Sequence, residues 1–406
     1  MDRRRMAAAF LMAGSAAANA QSGWVTVGES AYIQLRQHGQ RMTIRANRPA
    51  QSADLGSTEN VYLLEVPARD IDRIAGTLHR GLRHCGGFML HTSEADARKA
   101  LDAEAIRVAP RTTRPAYVLA NQALVTPLLA QMDEHRIAQS ITQLAGFANR
   151  YYKSAHGAAA SDWLSANWAA LGEQHPAISV AQFAHAGYAQ RSVVATIAGS
   201  DLAQQVIVLG AHLDSINLSN RNEAALAPGA DDDGSGIAGL TEVLRVLAYS
   251  HYRPRRTIKL IAYAAEEVGL RGAQDIAGQF RKDQVDVAGV LQLDMINYKG
   301  SAQDIVLIAD YTDRAQNDFL EKLIAAYLPT LTVGHDRCGY ACSDHAAWHL
   351  LGYAASMPFE AALGDDNPHI HTARDTYANS GSQAAHALKF ARLAAAWVVE
   401  LGTDAP

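Results

Sequence analysis

From Pro115 to the end of the chain, short apolar runs alternate with stretches in which apolar residues recur every three or four positions. No other feature constrains the fold as much. The runs ISVAQFAH, RSVVATIAG, QVIVLGA, TIKLIAYAA, VAGVLQLDM, DIVLIAD and YAASMPFE have the length and residue types of strands. Between them, GIAGLTEVLRVLAYS, GLRGAQDIAGQF and RAQNDFLEKLIAAYL each present one apolar stripe, as a helix lying on a sheet must. Alternation of this kind predicts an α/β fold, a mainly parallel twisted sheet sandwiched by helices, closed by the helix QAAHALKFARLAAAWVVELG.

At 406 residues the chain exceeds the usual span of one compact core, so an appended unit is expected. That unit lies in front. From residue 21 to about residue 108, GWVTVG, VYLLEV and CGGFMLHT read as strands, and DIDRIAGTLHR and SEADARKALDAEA as helices, of a small mixed α/β unit. The stretch from Val108 to Pro115, VAPRTTRP, has the composition of an exposed linker and processing site. At the start, Arg3, Arg4 and Arg5 precede MAAAFLMAGSAAA, which ends in Ala18-Asn19-Ala20, the pattern of an export signal. Its apolar run of about thirteen residues is short of the roughly twenty that span a bilayer. The expected organisation is a signal peptide over 1–20, a removable pro-domain over 21–114 serving as inhibitor and folding assistant, and a catalytic domain over 115–406. The mature protein is expected to be secreted, free of membranes after signal cleavage, and monomeric.

A net charge of -5, with no lysine- and arginine-rich stretch in the second half, gives nucleic acid no electrostatic footprint. Of the three cysteines, Cys338 and Cys342 lie close together in CGYAC, and Cys85 stands alone. Export favours a Cys338–Cys342 disulfide, with half of a metal site as the alternative reading of the pair. Cys85 is then a leftover thiol on the removable segment.

In parallel sheets, ligands gather outside the carboxyl ends of the strands. QVIVLGA runs into His212-Leu213-Asp214, TIKLIAYAA into Glu266-Glu267, and VAGVLQL into Asp294. GADDDGSG adds Asp231, Asp232 and Asp233 at a helix start, and HIHT adds His369 and His371. Taken singly, each has a plain structural reading: the acidic trio as a helix cap, a histidine as a satisfied core residue, a glutamate pair as a solvated loop. Taken together, imidazoles and carboxylates at successive strand ends are the groups that hold zinc while leaving a position for water or substrate. A two-metal hydrolase needs one bridging carboxylate, a histidine and an acid for each ion, and one acid kept free to handle protons. Asp214 follows His212 by two residues, so its carboxylate can accept a hydrogen bond from the ring nitrogen that faces away from a metal.

The segments AHLDS, APGADDDGSG, AYAAEEVGLRG, LQLDMINYKGSAQD, CGYACSDHA and NPHIHT closely resemble those of the secreted bacterial leucyl aminopeptidases, which are di-zinc exopeptidases, and the likeness runs from about Leu119 to Gly402. The resemblance implies two Zn²⁺ per chain. One would be held by His212 and Asp294, the other by Glu267 and His371, with Asp232 bridging them and Glu266 left as the proton-handling acid. It also implies an apolar pocket for the first side chain of a peptide with a free N-terminus, lined by Met295, Ile308, Tyr340 and Phe359, with the Cys338–Cys342 bridge forming one wall. Between Phe359 and the last ligand histidine this chain has Leu363 and Asp366 where close relatives carry aromatics, which predicts a wider or more polar pocket.

The reaction implied is hydrolysis of the N-terminal peptide bond, with leucine or another large apolar residue preferred. Zinc acidifies a water and polarises the scissile carbonyl, while Glu266 takes the proton and returns it to the leaving amine. Rival readings are another zinc amide hydrolase or a single-zinc cyclase of the same fold, and a binding module that has lost its chemistry. The complete ligand set disfavours the cyclase and the binding module, and no arginine near the motifs suggests the carboxylate recognition of a carboxypeptidase.

Overall fold

The computed structural model describes residues 22–49, 60–82, 86–105 and 114–403. The expected signal peptide, Cys85 and most of the expected linker lie outside the described residues.

The N-terminal unit runs β1 (Ser22–Gly28), α1 (Glu29–Gln37), β2 (Thr43–Pro49), β3 (Asn60–Pro67), α2 (Ile71–Leu82), β4 (Phe88–His91) and α3 (Glu94–Ala105). Its strands form one antiparallel sheet in the order β2-β3-β1-β4. Alternation along β3 sorts the two faces. Val61 and Leu63 join Ala97 and Leu101 of α3, whereas Leu64 and Val66 join Ala31 and Leu35 of α1 and Ile74, Ala75 and Leu78 of α2. Neither α1 nor β2 is expected from the sequence pattern. The reason is plain for β2, whose TIRANRP residues are nearly all exposed and carry no apolar alternation, so that pairing with β3 alone makes it a strand.

Three helices follow, α4 (Gln122–Ala130), α5 (Glu134–Ala145) and α6 (Ala155–Gly172). Then come β5 (Ile178–Phe183), β6 (Ser192–Ile197), β7 (Leu202–His212), α7 (Gly234–Tyr249), β8 (Arg256–Tyr263), α8 (Arg271–Lys282) and β9 (Asp286–Gln292). The chain continues through β10 (Ile305–Ile308), α9 (Arg314–Tyr327), β11 (Val333–Asp336), α10 (His345–His349), β12 (Ala355–Ser356), β13 (Pro358–Phe359) and α11 (Ala385–Thr403).

The main sheet has the order β12-β9-β7-β8-β6-β5, parallel from β12 to β8 and antiparallel at β6 and β5. In β7, Ile207, Leu209 and Ala211 face a core shared with α5, α7 and α11. Val206 and Val208 face the opposite side, where α8 and α10 pack. Burying one such aliphatic side chain contributes about 1.5–3 kcal/mol, so the alternation fixes the register of the central strand firmly.

DIVLIAD does not join the main sheet. As β10 it is the centre of a second, three-stranded sheet in the order β11-β10-β13. YAASMPFE divides between the sheets, with β12 on β9 and β13 on β10. Pro358, which has no N–H to extend a ladder, stands at the crossing.

The N-terminal unit does not keep a core to itself. Its apolar residues share one cluster with Tyr151, Tyr152, Ile216, Ala265 and Val268, and a second with Tyr263, Leu270 and Trp348 of the main body. Among the described residues no helix is long and apolar enough to cross a membrane.

Candidate metal centre

Because β7 pairs in parallel with both β8 and β9, the carboxyl ends of these three strands lie side by side. β7 ends on His212; Glu266 and Glu267 follow β8, and Asp294 follows β9. Asp232 precedes the N-terminus of α7, whose dipole favours negative charge. His371 comes from the irregular segment before α11, with its backbone in the left-handed region at φ 57°. Met295 and Ala265, next to Asp294 and Glu266, share that conformation at φ 55° and 57°. Such backbone is uncommon for residues with a side chain and clusters at functional sites.

The five ligand-type residues meet. His212 Nε2 lies 3.0 Å from Asp232 Oδ1 and 3.5 Å from Asp294 Oδ1. His371 Nε2 lies 3.0 Å from Asp232 Oδ2 and 3.0 Å from Glu267 Oε2. Asp232 thus offers one oxygen to each histidine, the placement of a bridging carboxylate.

All of these groups are buried, and Glu266 is 0% exposed with neither carboxylate oxygen hydrogen-bonded. Asp294 Oδ1 likewise has no hydrogen-bond partner. Buried carboxylates without donors are costly unless a cation serves them. The donor set of imidazole nitrogen and carboxylate oxygen suits zinc or a similar divalent ion, and two groupings of such residues occur among the described residues: His212, Asp233 and Asp294, and His79, Glu267 and His371.

The charge balance points the same way. Burial raises the Glu266 carboxyl well above the usual range, Asp294, Asp344 and Glu267 add to it, and His212 only partly opposes them. Burial also raises Glu267 to about 7, with Asp232 adding to the effect. For His371, burial is outweighed by Glu267 and Asp232, which lift the imidazole to about 10. Buried acids that raise one another's pKa in this way are a setting that a bound cation relieves.

Asp214 acts through both its backbone and its side chain. Its backbone carbonyl, not its carboxylate, accepts from His212 Nδ1–H at 3.2 Å; the carboxylate stands 3.6 Å away. The carboxylate oxygens accept from the backbone N–H of Glu266 at 2.9 Å and of Glu267 at 3.2 Å. One side chain therefore sets the position of both glutamates while its backbone orients the histidine.

The acidic trio divides its work. Asp233 accepts from Gly236 N as the cap of α7, and also from His212 N and Met295 N, tying the helix start to two strand ends. Asp231 accepts from Asn297 N and Asn367 Nδ2, and only Asp232 faces both histidines. His369 is not part of the group; its backbone N–H is held by Asn367.

Several supporting residues escaped the sequence reading. Asp375 accepts from the backbone N–H of both Asp231 and Asp232, and its position four residues after His371 was the available signal. Ser343 Oγ donates to Asp294 Oδ2 at 2.5 Å, and Asp344 beside it is buried with both oxygens lacking hydrogen-bond partners; both lie in the segment CGYACSDHA. Arg150, buried in the floor, donates to the carbonyls of Leu144, Leu213, Pro228 and Gly229. His79, on α2 of the N-terminal unit, gave no local signal at all.

Beside the centre lies an apolar cavity lined by Asp294, Met295, Ile308, Cys338, Cys342, Met357, Phe359 and Leu363. Cys338 and Cys342 have Cα atoms 6.0 Å apart, placed for a disulfide. Tyr340 does not line this cavity. Its hydroxyl donates to Thr26 Oγ1 at 2.7 Å, Thr26 is hydrogen-bonded to His91, and the ring is thereby drawn onto the N-terminal unit. The seam is tight, since a β-carbon at Gly28 would stand 2.6 Å from Tyr340 Cβ. Leu363 keeps its wall of the cavity apolar, and Asp366 accepts from Gly364 N instead of entering it.

Comparison with known proteins places the centre in a lineage. The family model of peptidase family M28 matches residues 192–398. Leucine aminopeptidase 1 of Ajellomyces capsulatus is 33% identical over 381 residues, covering 88% of this chain and 95% of the relative. Leucine aminopeptidase 1 of Grosmannia clavigera is 38% identical over 292 residues, covering 68% and 70%. The crystal structure of LapB from Legionella pneumophila superposes with a TM-score of 0.78 at 30% identity, over 95% of this chain and 100% of that one. The matched stretch spans His212 to His371, so the family likeness and the buried ligands fall on the same residues, and the chain belongs to peptidase family M28.

Proposed function

We propose that this metal-dependent peptidase is a secreted two-zinc aminopeptidase, made as a precursor, that removes leucine or another large apolar residue from peptides with a free N-terminus. The observation that carries the reading is the meeting of His212, Asp232, Glu267, Asp294 and His371 around a buried, unpartnered Glu266 beside an apolar cavity. Relatives named leucine aminopeptidase support the substrate class.

His212 and Asp294 would hold one zinc, Glu267 and His371 the other, and Asp232 both. Bound there, zinc supplies an acidified water and a polarised carbonyl. Glu266, whose carboxylate accepts no hydrogen bond, takes the proton of the attacking water on a carboxylate oxygen and gives it to the leaving amine. Asp214 keeps Glu266 and Glu267 at their posts through their N–H groups. Met295, Ile308, Phe359, Leu363 and the bridged Cys338 and Cys342 receive the first side chain and keep water from it. The N-terminal unit packs over the segment that bears both glutamates, with Leu90 N donating to Gly269 O, which supports its role as a removable inhibitor. The export signal in the sequence supports secretion, and the mature form acts as a monomer.

The test is hydrolysis of a leucyl anilide and its N-acetylated counterpart, by the intact chain and by the chain cut between its two units. Cleavage of the free-amine compound alone, rising sharply on cutting, with zinc near two per chain, is the expected result. Cleavage of the acetylated compound would replace the aminopeptidase reading with that of an acyl-amino-acid or endo-acting hydrolase.

A further inference from the structure

The N-terminal unit does more than cover the centre: it sends one side chain into it. Ala75, Leu78 and His79 share a face of α2, at the spacing of one helical turn. Ala75 and Leu78 stay in the apolar cluster between the units, while His79 continues beyond it to the metal centre. The imidazole is 2% exposed, and its ring centroid lies 4.3 Å from that of His371. Its Nε2–H donates to Glu267 O at 3.0 Å, and Nε2 stands 3.8 Å from Glu267 Oε2. The other nitrogen, Nδ1, is buried without a hydrogen-bond partner. One nitrogen held by a backbone carbonyl leaves the other with a lone pair to offer, and no protein group in the buried surroundings takes it up.

We propose that His79 is a ligand of the metal held by Glu267 and His371, so that the intact chain closes this ion's coordination with its own N-terminal unit. The proposal rests on the reading of the site as a two-metal peptidase centre. One ligand atom each from His79, Glu267 and His371 lie within 4.8 Å of one another, and Asp232 adds an oxygen 3.0 Å from His371 Nε2. Those residues make four protein ligands, the complement of a closed structural zinc site, whereas a catalytic zinc keeps a position open for water or substrate. With His79 in place that position is filled; when the N-terminal unit leaves, the ligand leaves with it and the position opens. Inhibition is then exerted within the coordination sphere as well as by cover.

The test uses the intact chain loaded with cobalt in place of zinc, and its His79→Gln and His79→Ala variants. The visible spectrum of bound cobalt reports ligand number, and competition with a chelator reports the affinity of each metal. The expected result is a changed spectrum and at least about a tenfold loss of affinity for one of the two metals, the other unchanged. Spectra and affinities matching the wild type in both variants would overturn the proposal. Should the alanine variant lose cooperative melting, the glutamine variant, which keeps a donor for Glu267 O, carries the test. The gain of anilide hydrolysis on cutting the wild-type chain bears on occlusion alone, so the two readings fail separately. Occlusion with an unchanged cobalt spectrum would mean a cover without a ligand.

Discussion

His212 and Asp294 stand at the ends of neighbouring strands of one sheet, whereas Glu267 and His371 reach each other from a loop and from an irregular segment near the end of the chain. The first pair is positioned by the backbone ladder between β7 and β9, so any chain that folds this sheet presents it. The second pair depends on fastenings made after the sheet is built. The Asp214 carboxylate holds the backbone of Glu267, and the left-handed backbone at His371 is tied by Leu218 N donating to its carbonyl. The half built by the sheet is complete within the catalytic body, and the half built by loops is where a residue of the N-terminal unit enters. A rigid half can specify the ion, and a loop-built half can be regulated.

That contrast can be broken by measurement. The largest effect is expected at the residue that belongs to neither half: Glu266→Gln should lower turnover by about two to four orders of magnitude while both metals stay bound. Metal content and anilide hydrolysis of the cut chain check this, and a variant missing a metal would make Glu266 a ligand. Next, His212→Ala should weaken one metal by roughly a hundredfold, equally in intact and cut chains. His371→Ala should cost the intact chain less than the cut one, because His79 remains; chelator competition on both forms decides, and equal losses would erase the difference between the halves. Asp214→Asn, which disturbs the fastening of both glutamates, should reduce metal affinity or activity about ten- to a hundredfold. Confinement of that loss to the His212 metal would mean that its grip on the glutamate backbone is immaterial. The smallest effect is expected at the seam. Tyr340→Phe removes one hydrogen bond to Thr26, worth about 1 kcal/mol, and should raise the basal activity of the intact chain roughly fivefold without altering the melting of the cut form.

The parts of the centre legible in the sequence are those whose signal is local. An apolar strand running straight into His212 or Asp294 displays its ligand within a few residues, and the acidic trio before α7 carries both of its readings at once, with Asp233 the cap and Asp232 facing the histidines. What the sequence hides is membership. Nothing in DIVLIAD distinguishes a strand of the main sheet from β10 in the smaller one, because sheet assignment is made by partners elsewhere in the chain. Tyr340 meets Thr26 across 314 residues, and His79 meets Glu267 across 188, separations at which periodicity says nothing. The helices α4 and α6 are obscured differently, the first by Pro127 inside it and the second by alanines that leave no clear polar face.

Arg150 gives the centre one more property. Its guanidinium lies in the field of Asp214, Asp232, Asp233 and Asp375, yet its donors are spent on main-chain carbonyls, so it neutralises charge without occupying any ligand. An arginine does not give up its proton in a folded protein, and this one cannot diffuse away. The floor of the site therefore carries a permanent counter-ion, and the cradle of acids above it is never wholly uncompensated.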